Sequence, residues 1–478
     1  MEQAHSQPPA APGDKPSVNK YLVLLAVING TFISTINTSI VNISLPTLSD
    51  VFGKDIATVQ WVLVTYMLTV SCFILPFGRL GDIIGRRPVY MTGFVIFTLF
   101  SLLSAFAPSI EVLIPLRFLQ GIGGAMLSGT GIAIATFTFP ARERGKALGF
   151  VSMSAAAGLT VGPSVGGFLV QNFGWQSIFL VNVPLGLLGL AQTAMNIRLQ
   201  PDRLDEKMDI PGILTYGVAL TSGILLLGQG RQLGLASPLF WGLVASFMVF
   251  VVLFLTIERR VPHPTIDLNL FRIRLFSSSA LSSLFAWECV FATQFLMPFY
   301  MERVLGYLPS LVGLILMWIP LLMSITTPIS GTISDRIGSR TPACIGMGLM
   351  VVALLLLSTL GEQSGPLDVA WRLVVMGIGI GIFQAPNNSS LMGAAPKDRL
   401  GMGSGVLATT RTIGQATGVS IASIIFVSRL GDATGSAAFV GALHDTFLAV
   451  SIIAVLALIV SYARGKPLAA QAQEAKAK

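Results

Sequence analysis

Apolar runs of about 20 residues recur along this chain from Tyr21 to Tyr462, and they limit its possible folds more than any other feature. A helix of that length, rising about 1.5 Å per residue, crosses the roughly 30 Å hydrocarbon core of a bilayer. A soluble fold has nowhere to hide so many. Composition agrees: 53% of the 478 residues are hydrophobic and only 11% are charged, against roughly 25% charged in soluble domains. The 49 glycines suit close helix packing in lipid. The expected fold class is an all-α polytopic membrane protein.

Fourteen helices are predicted, at 20–46, 57–77, 89–107, 110–138, 145–171, 177–196, 210–228, 238–256, 276–304, 308–330, 341–360, 368–393, 401–428 and 444–463. An even count puts both termini on one side. With that side cytoplasmic, the inner segments hold 23 of the 30 Lys and Arg and the outer segments hold 5. Arg117 and Arg411 are left inside helices. This asymmetry follows the positive-inside rule. It predicts a multi-pass protein of the plasma membrane, a bacterial inner membrane, with both termini cytoplasmic.

Other function classes fall away. The net charge of +8 is dispersed over short loops, so no basic patch for nucleic acid forms. Cys72, Cys289 and Cys344 lie in or beside apolar runs, and the three histidines are far apart, so no metal site is expected. No Ser–His–Asp or nucleotide-binding constellation is present. Neither an enzyme nor a cofactor is expected, and ion gradients remain as the energy source.

A segment repeats. Gly78-Arg-Leu-Gly-Asp82-Ile-Ile-Gly85-Arg86-Arg87-Pro88 follows the second helix, and Gly331-Thr-Ile-Ser-Asp335-Arg336-Ile-Gly338-Ser-Arg340 follows the tenth. Both fit G-x-x-x-D-x-x-G-x-R, eight helices apart. The chain thus divides into a tail 1–19, a six-helix bundle 20–196, a linker with two inserted helices 197–275, a second bundle 276–463 and a tail 464–478. Such internal repeats mark secondary transporters that rock one half against the other. Gly78, Asp82, Gly85, Arg86, Arg87, Gly331, Asp335, Gly338 and Arg340 are read as gating loops. Their structural alternative is a basic anchor that fixes topology.

Three more segments stand out: Leu116-Arg117-Phe-Leu-Gln120-Gly121-Ile-Gly123-Gly124, Gly158-Leu-Thr-Val-Gly162-Pro163-Ser-Val-Gly166-Gly167, and Trp175-Gln-Ser-Ile-Phe179-Leu-Val-Asn182-Val-Pro184-Leu-Gly186. With the repeated loop, their order and spacing resemble the major facilitator superfamily, and within it the fourteen-span drug:proton antiporters of the EmrB/QacA type. The resemblance covers about residues 20–463. It implies a fold of two six-helix bundles plus two inserted helices. It also implies an antiporter motif at Gly158, Gly162, Pro163, Gly166 and Gly167, and a link between Arg117 and proton coupling. Gly158, Gly162 and Gly166 form one smooth face, read as a close helix contact that seals the cavity between the halves.

The chain departs from that family in its first helix. Where the family resembles L-D-x-T-I-V-N-V-A-L-P, this chain has Asn37, which releases no proton. Three readings stay open: coupling rests on Glu288, the substrate is not a typical cation, or the chain is not proton-coupled. Glu288 falls near the middle of the ninth helix. A carboxyl there that holds either a proton or a cation is the simplest antiport device. Arg117, Glu288 and Arg411 are therefore the proton-coupling candidates; each arginine has a static packing role as its alternative. Asn37, Gln120, Trp287, Asn387 and Asn388 are the cavity candidates.

The expected function is efflux of amphipathic, cationic small molecules in exchange for protons, by a monomer in the bilayer. Alternatives are a dedicated exporter of a metabolite, peptide or lipid-like molecule, and a transport-dead sensor, which the short tails disfavour.

Overall fold

A computed structural model describes residues 19–140, 143–197, 208–234, 236–261, 267–395, 400–431 and 433–464. Among them every regular element is helical, and fourteen helices are long and apolar enough to cross a membrane. In chain order these spans are Lys20–Ile43, Ile56–Ile84, Arg86–Ala105, Ile110–Thr138, Lys146–Phe173, Ser177–Asn196, Ile210–Gly228, Pro238–Glu258, Arg274–Arg303, Pro309–Ile337, Arg340–Ser358, Pro366–Ala394, Gly405–Leu430 and Ser436–Tyr462. They are called spans one to fourteen below. The two tails lie outside the described residues, apart from Asn19 and Arg464.

The number of spans is as predicted, and some limits differ for identifiable reasons. Span one stops at Ile43, and a separate short helix, Leu45–Phe52, carries the chain across the face, ending at Gly53 with φ +60°. Span fourteen starts at Ser436, well before the predicted 444, because Ala437–Leu443 is neutral enough to continue the helix. The repeated segments are not loops. Span two runs on to Ile84 and span ten to Ile337, and the helices break only at Gly85 (φ +102°) and at Gly338 (φ +84°) with Ser339. Those left-handed angles need glycine. Each repeat is therefore two helical turns, one glycine hinge and the next span. The face holding both hinges is called the hinge face.

Spans one to six and nine to fourteen form two bundles, and spans seven and eight pack on each other. Span seven also leans on spans two and thirteen, with Tyr216 donating from its hydroxyl to the Ser71 carbonyl at 3.3 Å. Many of span eight's apolar side chains, including Trp241, Met248 and Val252, are exposed. Such a helix is stable with lipid as its solvent.

The bundles repeat their internal contacts. Glycines 158, 162 and 166 of span five lie against span one at Thr35, Ser39 and Ile40. Eight helices later, Gly414 and Gly418 of span thirteen lie against the Leu284 and Glu288 carbonyls of span nine. The bundles touch each other where span five meets span ten and where span two meets span thirteen. These two contacts are equivalent under the eight-helix offset, as a two-fold repeat requires.

Candidate functional site

Arg117 is wholly buried in the first bundle. Its position within span four puts Gln120 on the same face one turn on. Gly121, Gly123 and Gly124 then let spans two and three close in, since a Cβ on any of them would strike Thr69, Phe97 or Tyr66. In that enclosure Arg117 Nε donates to the Val62 carbonyl at 2.9 Å. Its Nη1 donates to Asn37 Oδ1 at 3.2 Å and to Gln120 Oε1. The guanidinium carbon sits 4.5 Å from the centre of the Tyr66 ring. Asn37 Oδ1 also accepts from Asn182 Nδ2 at 3.3 Å. The charge is thus shared among neutral oxygens and a ring face, and among the described residues no carboxylate joins them. Asn182 belongs to the site, although the sequence reading used it only as part of a motif. Asn37 and Gln120 sit inside this knot. They had been expected to line a substrate cavity, and neither is among the residues lining the cavity described below.

Glu288 lies midway along span nine and is buried. Its Oε1 accepts from the Thr417 hydroxyl of span thirteen at 2.7 Å. Gly418 brings the two backbones together there: a Cβ on it would fall 2.5 Å from the Glu288 carbonyl oxygen. Among the described residues Glu288 makes no ion pair with Arg411, the other coupling candidate of the second bundle. Arg411 instead stacks over the Trp287 ring at 4.5 Å.

A cavity of about 250 Å³ lies between spans one, two, four and five of the first bundle and span thirteen of the second. Thr31, Ser34, Thr38, Tyr66, Ser128, Thr412 and Gln415 give it polar groups, Arg411 gives it a charge, and Met67, Val70, Ile74 and Leu127 give it apolar walls. Its lining residues run from mid-span toward the hinge face. Glu288 and Arg117 lie outside it; so do the cavity candidates Trp287, which is buried and touches Arg411, and Asn387. Near the hinge face, Asn387 Nδ2 donates to the Ser279 carbonyl at 3.0 Å, and its Oδ1 accepts from Arg464. Asn388 is half-buried on the same helix and has no polar contact of its own among the described residues. Arg464, assigned to the tail by the sequence reading, is buried and also donates to Ser461 Oγ at 3.1 Å. Burial lowers its guanidinium to about 10.

The two hinges share a backbone and differ in side chains. Asp82 Oδ1 accepts from Arg86 Nη2 at 2.6 Å and from Nε at 3.1 Å, and Arg86 stacks on Phe137. Arg87 donates to the Ala194 carbonyl at the end of span six at 2.8 Å. Gly78 lies against the Gly129 backbone. In the second copy Asp335 is exposed and has no ion pair among the described residues, Arg340 lies over Tyr462, and Gly331 rests on Ala385.

On the opposite face the bundles meet main chain to main chain. A Cβ on Gly167 would fall 2.1 Å from the Pro309 carbonyl oxygen, and one on Gly313 would fall 2.1 Å from that of Pro163. Arg303 Nη2 bridges to Asp50 at 2.8 Å and to Ser49 Oγ at 2.7 Å. The predicted sealing role of the glycine face is corrected here: Gly158, Gly162 and Gly166 pack within the first bundle, and Pro163 and Gly167 make the contact between bundles.

The family profile described as Major Facilitator Superfamily matches residues 27–419. The chain belongs to the major facilitator superfamily. It is a membrane transporter, not an enzyme. The riboflavin transporter RibZ of Clostridioides difficile is 33% identical over 415 residues, covering 86% of this chain and 89% of its own length. Multidrug resistance protein Stp of Mycobacterium tuberculosis is 32% identical over 410 residues, 86% of this chain and 76% of its own. A bacterial homologue of the human lysosomal transporter Spinster, solved in an inward-facing, unoccupied conformation, matches with a TM-score of 0.68 at 16% identity, covering 94% of this chain and 97% of its own. That likeness concerns the fold alone. The resistance proteins among the superfamily relatives agree with the resemblance to fourteen-span drug transporters.

Proposed function

We propose that this superfamily member exports small amphipathic molecules across a bacterial plasma membrane in exchange for protons, by alternating access, as a monomer with both termini cytoplasmic. Glu288 carries the proton. The observation that supports this role is its bonding: a carboxyl midway along a span holds one hydroxyl, that of Thr417, and has no cation within ion-pair distance among the described residues. It therefore gains or loses a proton without breaking a salt bridge. Its partner span thirteen also presents Arg411 to the cavity, so a change at Glu288 is felt about 1.7 turns away at the substrate. Arg117 holds the first bundle rigid as that seam shifts. The Gly85 and Gly338 hinges and the contact between spans five and ten open and shut the two faces. Export is favoured over import by likeness to proteins named for drug resistance.

A second reading, a dedicated exporter of one metabolite, is favoured by Asn37, which leaves the first bundle without the family's acid, and by likeness to a riboflavin transporter. The test is efflux from proteoliposomes under an imposed pH gradient. Wild type should respond to the gradient and Glu288→Gln should not. Equal, gradient-indifferent efflux by both would remove protons from the account.

A further inference from the structure

Two arginines inside the spans of this protein are treated differently: Arg117 is buried and Arg411 is half-buried. Arg117 is surrounded by the Val62 carbonyl and the Asn37 and Gln120 amide oxygens. Arg411 lines the cavity with Trp287 against it at 4.5 Å and, among the described residues, no hydrogen-bond acceptor or carboxylate. It is also the one charged residue lining that cavity; the other polar groups, among them Ser34, Thr38 and Gln415, are neutral. Glu288 does not compensate it, being bonded to Thr417, about 9 Å further along the same helix axis. A half-buried guanidinium on a cavity wall, with no protein acceptor among the described residues, has hydrogen-bonding capacity left for water or for a solute. The cavity opens between the bundles, so what enters it can supply the acceptor.

We infer that the cavity takes amphipathic compounds bearing an acidic group, a carboxylate or an acidic phenol, which docks on Arg411, and that it rejects cations. The inference rests on reading this cavity as the transport path. Stacking on Trp287 occupies the guanidinium face and leaves its edge N–H groups, which suit a carboxylate in two-point contact. Met67, Val70, Ile74 and Leu127 receive the apolar part. A cation would meet Arg411 with no acid in the lining to offset the repulsion. This inference departs from the expectation of cationic substrates and follows the charge of the cavity lining instead.

The experiment is equilibrium binding to the purified full chain in detergent, with no gradient, using three matched ligands: 4-(1-pyrenyl)butanoate, its methyl ester and the pyrenylbutyl trimethylammonium cation. The butanoate should bind more than about tenfold tighter than the other two, the loss expected for one charged hydrogen bond. Arg411→Gln should bring the butanoate down to the ester's affinity while the ester is unchanged, and Arg411→Lys should keep most of the preference. A cation bound as tightly as the acid, an acid preference that survives Arg411→Gln, or no binding of the butanoate to wild type overturns the inference. Because no gradient is applied, failure here leaves proton coupling standing, and loss of proton coupling leaves the acid preference standing.

Discussion

Arg117 organises the first bundle by donating to three oxygens from two other spans and its own: those of Val62, Asn37 and Gln120. Replacing it by Gln shortens the side chain and removes the charged hydrogen bonds to the Val62, Asn37 and Gln120 oxygens in a dry site. The expected cost is about 2–3 kcal/mol of stability, read as a lower thermal unfolding midpoint in detergent; an unchanged midpoint would show that the knot is not structural. Asn37→Asp should be tolerated by comparison, since it offers Arg117 a charge in place of an amide oxygen. The sequence disclosed the cost of Arg117, because a charge inside an apolar run is visible in one dimension. It did not disclose the partners. Asn37 lies 80 residues away and Asn182 is 145 residues from Asn37, and nothing local distinguishes an amide in a knot from one in a cavity. Arg464 escaped notice for a related reason: one residue past the last apolar run reads as tail, yet its side chain folds back into the bundle.

Helices were the most legible scale. Lipid as solvent demands long apolar runs, so their number survives errors in their ends. Their ends were less legible where glycine-rich, weakly polar turns continue a helix beyond the apolar stretch, as in span two and span fourteen. The glycines were legible as smooth faces but not as to which helix each face meets. That difference is testable at Gly313. Its Cβ would collide with a backbone carbonyl, which has no side chain to swing aside, so Gly313→Ala should leave each bundle folded and push the two apart on the opposite face. A clash of this kind costs roughly 1–3 kcal/mol, enough to shift the conformational balance by roughly 5- to 150-fold. Spin-label distances between spans five and ten should lengthen and transport should fall; unchanged distances would refute the assignment of this contact as the seal.

At the scale of the molecule, two bundles related by an eight-helix repeat meet at two equivalent seams, and the seams are unequal in construction. On the opposite face the backbones touch and the Asp50–Arg303 pair spans the gap. Both side chains of that pair are substantially exposed, 68% and 34%, so the pair is worth about 0.2–1 kcal/mol and is weakened by salt. Asp50→Asn should therefore produce at most a roughly fivefold shift toward the state open on that face. The shift should be visible at low ionic strength and should vanish in high salt; a shift indifferent to salt would mean the pair acts through something other than charge. Main chains make the rest of that seam. Such a barrier has no rotamers to settle and no memory of what was last carried. On the proposed reading of the cavity as the transport path, changes at Thr31, Ser34, Arg411 or Gln415 should alter the choice of cargo without loosening it. A lineage built this way is free to diversify what it exports, while the watertightness on which an energised membrane depends stays fixed.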